Sequence, residues 1–312
     1  MKKTLLLSGL LISTLLFGLI LFAPAKLGHF IYDNATDLEA NLYGFESHTI
    51  DIGEMNIYLY QNILSERESI LMLHGYSADK DVWPRFARHF NEQYNVIIPD
   101  MAGHGETGYN KNWDYSAPAQ VERLIKLLDK LNIQKVHIVG NSMGGFISAH
   151  FAKMYPQRIL SATFIDPYGV NTPQPSKMEK LLTQGKNAFI VNSRAEFDNF
   201  YAMTMAAPPW FPDFIFDAVT ETYVSRQDEL AGIFSYIHQL NMLDNSLNEI
   251  NVPSLLFWGE LDQILDVSGA QVWQKGIEGI KVKVWPNVGH MPMLEIPQQT
   301  AMAFQAFLSE LP

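Results

Sequence analysis

Apolar and polar positions divide the chain into three stretches. Thr4 to Phe22 carries no charge and is dominated by Leu, Ile and Phe. Lys26 to Gly44 is mixed and reads as a linker with a short helical piece. Beyond it, strand-like and helix-like patterns alternate. His48–Ile52 and Met55–Tyr60 flank a Gly53-Glu54 turn and predict a hairpin. Ser69–Leu73 and Asn95–Ile98 are apolar runs typical of strands covered on both faces. Trp83–Phe90 predicts a helix. Ser116 predicts the N-cap of another helix ending near Leu131, where Val121, Leu124, Ile125, Leu128 and Leu131 share one face. Lys135–Val139 predicts a strand, Phe146–Tyr155 a helix stopped by Pro156, and Leu160–Ile165 a further strand.

The alternation breaks at Tyr168 and resumes at Ser254–Trp258, followed by a strand at Lys281–Trp285 and a closing helix at Pro297–Leu308. The interval 169–252 reads as helices and loops and is far too long for a plain crossover between strands. It predicts an inserted helical cap that divides one core into residues 45–168 and 253–312. Strands alternating with helices mean an α/β fold with a mostly parallel, doubly wound sheet.

Composition narrows the class. A chain of 312 residues, 47% hydrophobic and 18% charged, suits one large α/β domain with room for an insertion. Cysteine is absent, so there is no disulfide, thiolate metal site or thiol nucleophile. The net charge of -11 argues against a nucleic-acid partner and against general adhesion to anionic lipid. Membrane contact then has to be apolar or local, and Thr4–Phe22 supplies it. Its 19 residues match the length needed to cross a bilayer core of roughly 30 Å. Lys2 and Lys3 before it stay cytoplasmic, which exports the catalytic domain. Two readings of residues 1–25 stand. The length favours an uncleaved signal anchor over a signal peptide, whose apolar region is usually about 7–15 residues. Ala23-Pro24-Ala25 nevertheless resembles a signal-peptidase site, and cleavage after Ala25 would secrete the protein.

The candidate chemistry centres on Gly140-Asn141-Ser142-Met143-Gly144, a G-x-S-x-G pentapeptide between a predicted strand and a predicted helix. That setting is what a nucleophile elbow requires. An alcohol needs a base, and the base an orienting carboxylate, here expected in the chain order Ser, acid, His. Asp262 follows the Ser254–Trp258 strand and is the preferred acid, with Glu260 and Asp266 as alternatives. An Asp after a strand also commonly caps a helix, a role compatible with the first. His290, in Asn287-Val288-Gly289-His290, follows the last strand and is the candidate base. His74 and His104 precede the serine and read as loop and turn residues. Two backbone N–H groups, of Met143 and of Tyr76, are the candidate oxyanion hole. The competing reading of His74-Gly75 is a plain tight turn.

These residues carry a resemblance. Leu73-His74-Gly75-Tyr76-Ser77-Ala78-Asp79-Lys80, Pro99-Asp100-Met101-Ala102-Gly103-His104-Gly105, Gly140-Asn141-Ser142-Met143-Gly144-Gly145, Trp258-Gly259-Glu260-Leu261-Asp262 and Gly289-His290 resemble blocks of the α/β-hydrolase superfamily. Within it they look like the membrane-anchored monoacylglycerol lipases and related bacterial lipases, over about residues 45–312. The resemblance implies an eight-stranded sheet, Ser142, Asp262 and His290 as a triad, and Tyr76 and Met143 as oxyanion donors. Thr107 stands where many relatives carry Ser, and Asn141 is shared with enzymes of other substrate class.

The expected activity is hydrolysis of medium or long acyl esters, monoacylglycerols among them. A carbon–carbon bond hydrolase with the same triad is the alternative enzyme, and a catalytically silent binding protein the alternative from another class. A dehalogenase or epoxide hydrolase would need Asp at position 142. In the cap, Met203, Met205, Pro208, Pro209, Trp210, Phe211, Pro212, Phe214, Ile215 and Phe216 form an apolar cluster. It reads equally as an acyl tunnel or membrane-dipping lid, or as packing between cap and core. No metal cluster, phosphate loop or obligate protein partner is evident, so no cofactor is expected.

Overall fold

The computed structural model describes residues 24–62, 66–238 and 240–311. The expected anchor at Thr4–Phe22 lies outside these residues. Among the described residues, no helix is long and apolar enough to cross a membrane.

Eight strands form one sheet: β1 (Glu46–Asp51), β2 (Asn56–Gln61), β3 (Ser69–Leu73), β4 (Asn95–Pro99), β5 (Val136–Asn141), β6 (Ile159–Ile165), β7 (Ser254–Gly259) and β8 (Lys281–Trp285). Their order is β1-β2-β4-β3-β5-β6-β7-β8. Only β2 runs antiparallel to its neighbours; every other pairing is parallel. The hairpin pairs Ile50 with Ile57, and the Asp51 carboxylate accepts the Gly53 N–H at 2.7 Å to close its turn. The central strands are buried almost throughout and mostly apolar, because both faces are covered. Leu71, Leu73, Ile138, Phe164 and Leu256 enter one core. Their alternates Ile70, Met72, Val139, Ile165 and Phe257 enter the other. All ten are fully buried, the doubly wound arrangement in which helices sheathe both sides of the sheet.

Those helices are α1 (Pro24–Leu42), α2 (Pro84–Ala87), α3 (Ala117–Lys130) and α4 (Met143–Met154). Then come α5 (Lys177–Thr183), α6 (Arg194–Thr204), α7 (Asp213–Ser225) and α8 (Gln227–Ile237), all between β6 and β7. The last three are α9 (Gly269–Gly276), α10 (Pro292–Glu295) and α11 (Pro297–Leu308). Helix α3 begins where the Ser116 side chain accepts the Ala119 N–H, and it buries Val121, Leu124 and Leu128.

Two stretches depart from the sequence reading. Trp83, Phe86 and Phe90 are buried as the pattern implies, but the helix there is confined to Pro84–Ala87, preceded by a tighter turn at Lys80–Val82. Residues 26–44 hold a long helix, α1, in place of a linker with a short helical piece. Its stabilising partners lie far away in sequence. Asp37 accepts a hydrogen bond from the Tyr60 hydroxyl at 2.7 Å, and Glu39 pairs with Arg85 at 2.8 Å. Gly28 lies so close to α7 that a Cβ there would collide with the Phe214 carbonyl. A helix held by tertiary contact needs no strong pattern of its own.

Candidate active site

Strand β5 delivers Ser142 at its C-terminal end, and α4 starts at the next residue. The turn between them is forced. Ser142 sits at φ 56°, ψ -116°, a region that L residues rarely occupy. Its N–H bonds to the Ile165 carbonyl at 2.9 Å, and its carbonyl accepts from Phe146 and Tyr168. Two glycines make room. A Cβ on Gly140 would run into the Gly144 backbone, and one on Gly144 into the Leu73 carbonyl. The strained serine is therefore held over the β3–β5 boundary, 8% exposed.

Asp262 and His290 reach the same rim from the loops after β7 and β8. The His290 Nδ1 and Asp262 Oδ2 are 2.6 Å apart, in the short range of charge-assisted bonds. Asp262 Oδ1 accepts the N–H groups of Ile264 at 2.8 Å and Leu265 at 3.0 Å. The residue thus pins a turn with one oxygen and the imidazole with the other. Helix α9 begins only at Gly269, so Asp262 caps a turn and no helix. The alternative acids face elsewhere: Glu260 is exposed and accepts from Asn287, and Asp266 accepts from Ser268. With Nδ1–H donated to Asp262, Nε2 is the nitrogen left free to act as base. No hydrogen bond joins Ser142 to His290 among the described residues. That contact is often long in a site without substrate.

The turn after β3 lies directly against the serine. A Cβ on Gly75 would stand 3.2 Å from the Ser142 Cβ and 3.3 Å from the Asn141 Oδ1. Neither the Tyr76 nor the Met143 N–H has an acceptor among the described residues. His74 shapes this turn as a neutral imidazole: its Nδ1 bonds to the Gly75 carbonyl at 2.8 Å and its Nε2 accepts the Met101 N–H at 3.0 Å. Burial lowers its pKa, consistent with that form. Asp100 ties the turn to the loop after β4, accepting from Lys80 N, Lys80 Nζ and Glu106 N. The Thr107 hydroxyl donates to the Asp100 carbonyl and accepts from Tyr58 N.

The β6–β7 insertion roofs this rim and is latched on two sides. On one, the Tyr76 hydroxyl donates to the Leu230 carbonyl at 2.6 Å, and Tyr223 donates to the Ser77 carbonyl at 2.9 Å. On the other, His290 N donates to the Thr204 carbonyl at 3.1 Å. Glu295 there accepts from Gly289, Ala206 and Ala207. Phe189 touches both Tyr76 and Phe200, lining the roof with aromatic rings. The apolar cluster foreseen in the insertion is split: Met203 and Met205 are buried, while Trp210 is 83% exposed.

Three residues carry weight that sequence reading did not assign. Asn141 Nδ2 donates to the carbonyls of His290 at 2.9 Å and Ile165 at 3.2 Å, bracing the histidine loop. Glu295 braces the same loop from α10. Asp166, at the end of β6, lies fully buried beside Asp262 and His290. Its position at the C-terminal end of a strand adjoining the serine strand was the available signal, because sites in open α/β sheets collect there.

The sequence pattern of the alpha/beta hydrolase fold matches residues 68–297. Lipase 1 of Psychrobacter immobilis is 31% identical over 281 residues, covering 89% of this chain and 86% of that protein. Monoacylglycerol lipase abhd6-A of Xenopus laevis is 29% identical over 257 residues, 78% of this chain and 76% of its own. Among solved structures, a membrane phospholipase A described as a bacterial virulence factor superposes with a TM-score of 0.88 at 31% identity. It covers 100% of this chain and 99% of its own.

Proposed function

The chain belongs to the α/β-hydrolase family, and on that premise we propose that it is a serine hydrolase of carboxylic esters with medium or long acyl chains, monoacylglycerols among them. The observation that carries the reading is the 2.6 Å bond from His290 to Asp262 on the rim that presents the strained Ser142. His290 Nε2 takes the Ser142 proton as Oγ attacks the ester carbonyl. The Tyr76 and Met143 N–H groups hold the oxyanion, helped by the N-terminus of α4. The alcohol leaves with the proton from His290, and an acyl-enzyme remains. His290 then activates water, and deacylation frees the acid.

The oxyanion role has its own test. Gly75→Ala places a methyl against Ser142 and Asn141 and moves the Tyr76 N–H. It is expected to lower kcat about tenfold to a thousandfold with little change in KM. Unchanged kcat would remove Tyr76 from the hole.

The acyl-chain reading is supported by the aromatic roof over Tyr76 and by the relatives named as lipases. The uncharged Thr4–Phe22 segment supports a membrane anchor with the domain on the exported side. Trp210 supports contact of the cap, residues 169–252, with lipid. It is exposed, and it lies four residues before the α7 residue that touches Gly28 near the start of α1. Hydrolysis rates over mono-, di- and triacylglycerols and p-nitrophenyl esters of graded length test this. The expected profile rises with acyl length and favours monoacylglycerol over triacylglycerol. A preference for short soluble esters would contradict it.

A further inference from the structure

Asp166 has no part in the steps above, yet its surroundings are chemically incomplete. It directly follows β6 at φ 44° and is fully buried. Its Oδ1 accepts the Gly259 N–H at 2.7 Å. Its Oδ2 is buried and has no hydrogen-bond partner among the described residues. One side-chain atom each from Asp166, Asp262 and His290 lie within 4.8 Å of one another. Two ionised carboxylates at that spacing and out of water repel strongly. A single proton removes both difficulties, because it cancels one charge and turns the orphan oxygen into a donor. Asp262 is the poorer carrier: His290, Ile264 and Leu265 all donate to it, so both its oxygens are already engaged as acceptors. Asp166 receives one backbone N–H.

We propose that Asp166 is a positioning residue, a neutral carboxylic acid whose O–H donates to Asp262 and fixes the carboxylate that orients His290. The proposal rests on the serine-hydrolase reading of Ser142, Asp262 and His290. Burial first, and then the charge of Asp262, push the Asp166 carboxyl well above the usual carboxylate range, and Glu295 acts in the same direction. The charged and titratable groups around it are thus Asp262, His290 and Glu295, the last held by the Gly289, Ala206 and Ala207 N–H groups. The acid bridges the ends of β6 and β7 to the loop after β8. It leaves His290 facing one negative charge, softened by the donated hydrogen bond.

Ester hydrolysis by the full chain, followed through the acidic limb of kcat/KM, tests this with Asp166→Asn, Asp166→Ala and Ser142→Ala beside the parent. Asp166→Ala is expected to lower kcat about tenfold to a hundredfold. It should also move the acidic limb to higher pH, because Asp262 without its donor holds the His290 proton more tightly. In Asp166→Asn the amide N–H replaces the O–H and the amide oxygen still accepts from Gly259. That variant is expected to recover most of the lost rate, with its limb where the parent has it. A limb about one pH unit lower in Asp166→Asn would mean that a charge was removed, and would overturn the proposal. So would Asp166→Ala matching the parent in both rate and limb. If Asp166→Ala fails to fold, the limb of Asp166→Asn decides alone. Hydrolysis surviving in Ser142→Ala would overturn the parent reading together with this one, whereas an inactive Ser142→Ala with a shifted Asp166→Asn limb overturns this one alone.

Discussion

Ser142→Ala is expected to lower kcat for ester hydrolysis on the order of 10⁴- to 10⁶-fold, with the unfolding temperature close to that of the parent. The loss is large because attack requires an oxygen at this position, and alanine supplies none. The stability cost is small for separate reasons. The elbow is held by backbone bonds from Ser142 to Ile165, Phe146 and Tyr168, which alanine keeps. Its glycines are fixed by close approach of Gly140 to Gly144 and of Gly144 to Leu73, which the substitution does not touch. Steady-state rates on a monoacylglycerol and a thermal melt, taken on the same preparation, separate the two effects. A melt that fell with the activity would show a folding defect in place of a missing nucleophile.

Asp262→Asn is expected to cost on the order of 10⁴ in kcat while leaving the fold intact. The amide oxygen at the Oδ1 position still accepts from Ile264 and Leu265, so the turn survives. The amide nitrogen, however, faces His290 Nδ1 as a second donor. It drives the imidazole into the tautomer that carries its proton on Nε2, where the base has to be free. Glu260→Gln and Asp266→Asn serve as comparisons. Glu260 accepts only a long 3.4 Å bond from Asn287 N and Asp266 accepts from Ser268 N; neither bonds to His290, so their loss should have little effect. Rates for the three variants at one pH decide among the acids. A large loss in Glu260→Gln or Asp266→Asn, with Asp262→Asn active, would reassign the role.

Much of the sheet was legible because its strands are buried on both faces, which writes uninterrupted apolar runs such as Ser69–Leu73 into the sequence. Asp262 and His290 were legible for another reason. The fold fixes the chain order of nucleophile, acid and base, and each lies just beyond a recognisable strand. What escaped was written in contacts between distant residues. Helix α1 draws its stability from Phe214, Tyr60 and Arg85, so its own mixed pattern reads as a linker. The latches from Leu230 to Tyr76 and from Thr204 to His290 leave no local signature in the insertion. Asp166 escaped because a buried carboxyl opposite another acid is visible only once β6 and β7 are paired.

The most direct measurement is the site of covalent modification by a fluorophosphonate probe, read by intact mass and then by peptide mapping. The expected result is one adduct, on Ser142, absent from Ser142→Ala and formed far more slowly in His290→Ala. An adduct on another residue, or labelling that persists in Ser142→Ala, would contradict Ser142 as the nucleophile.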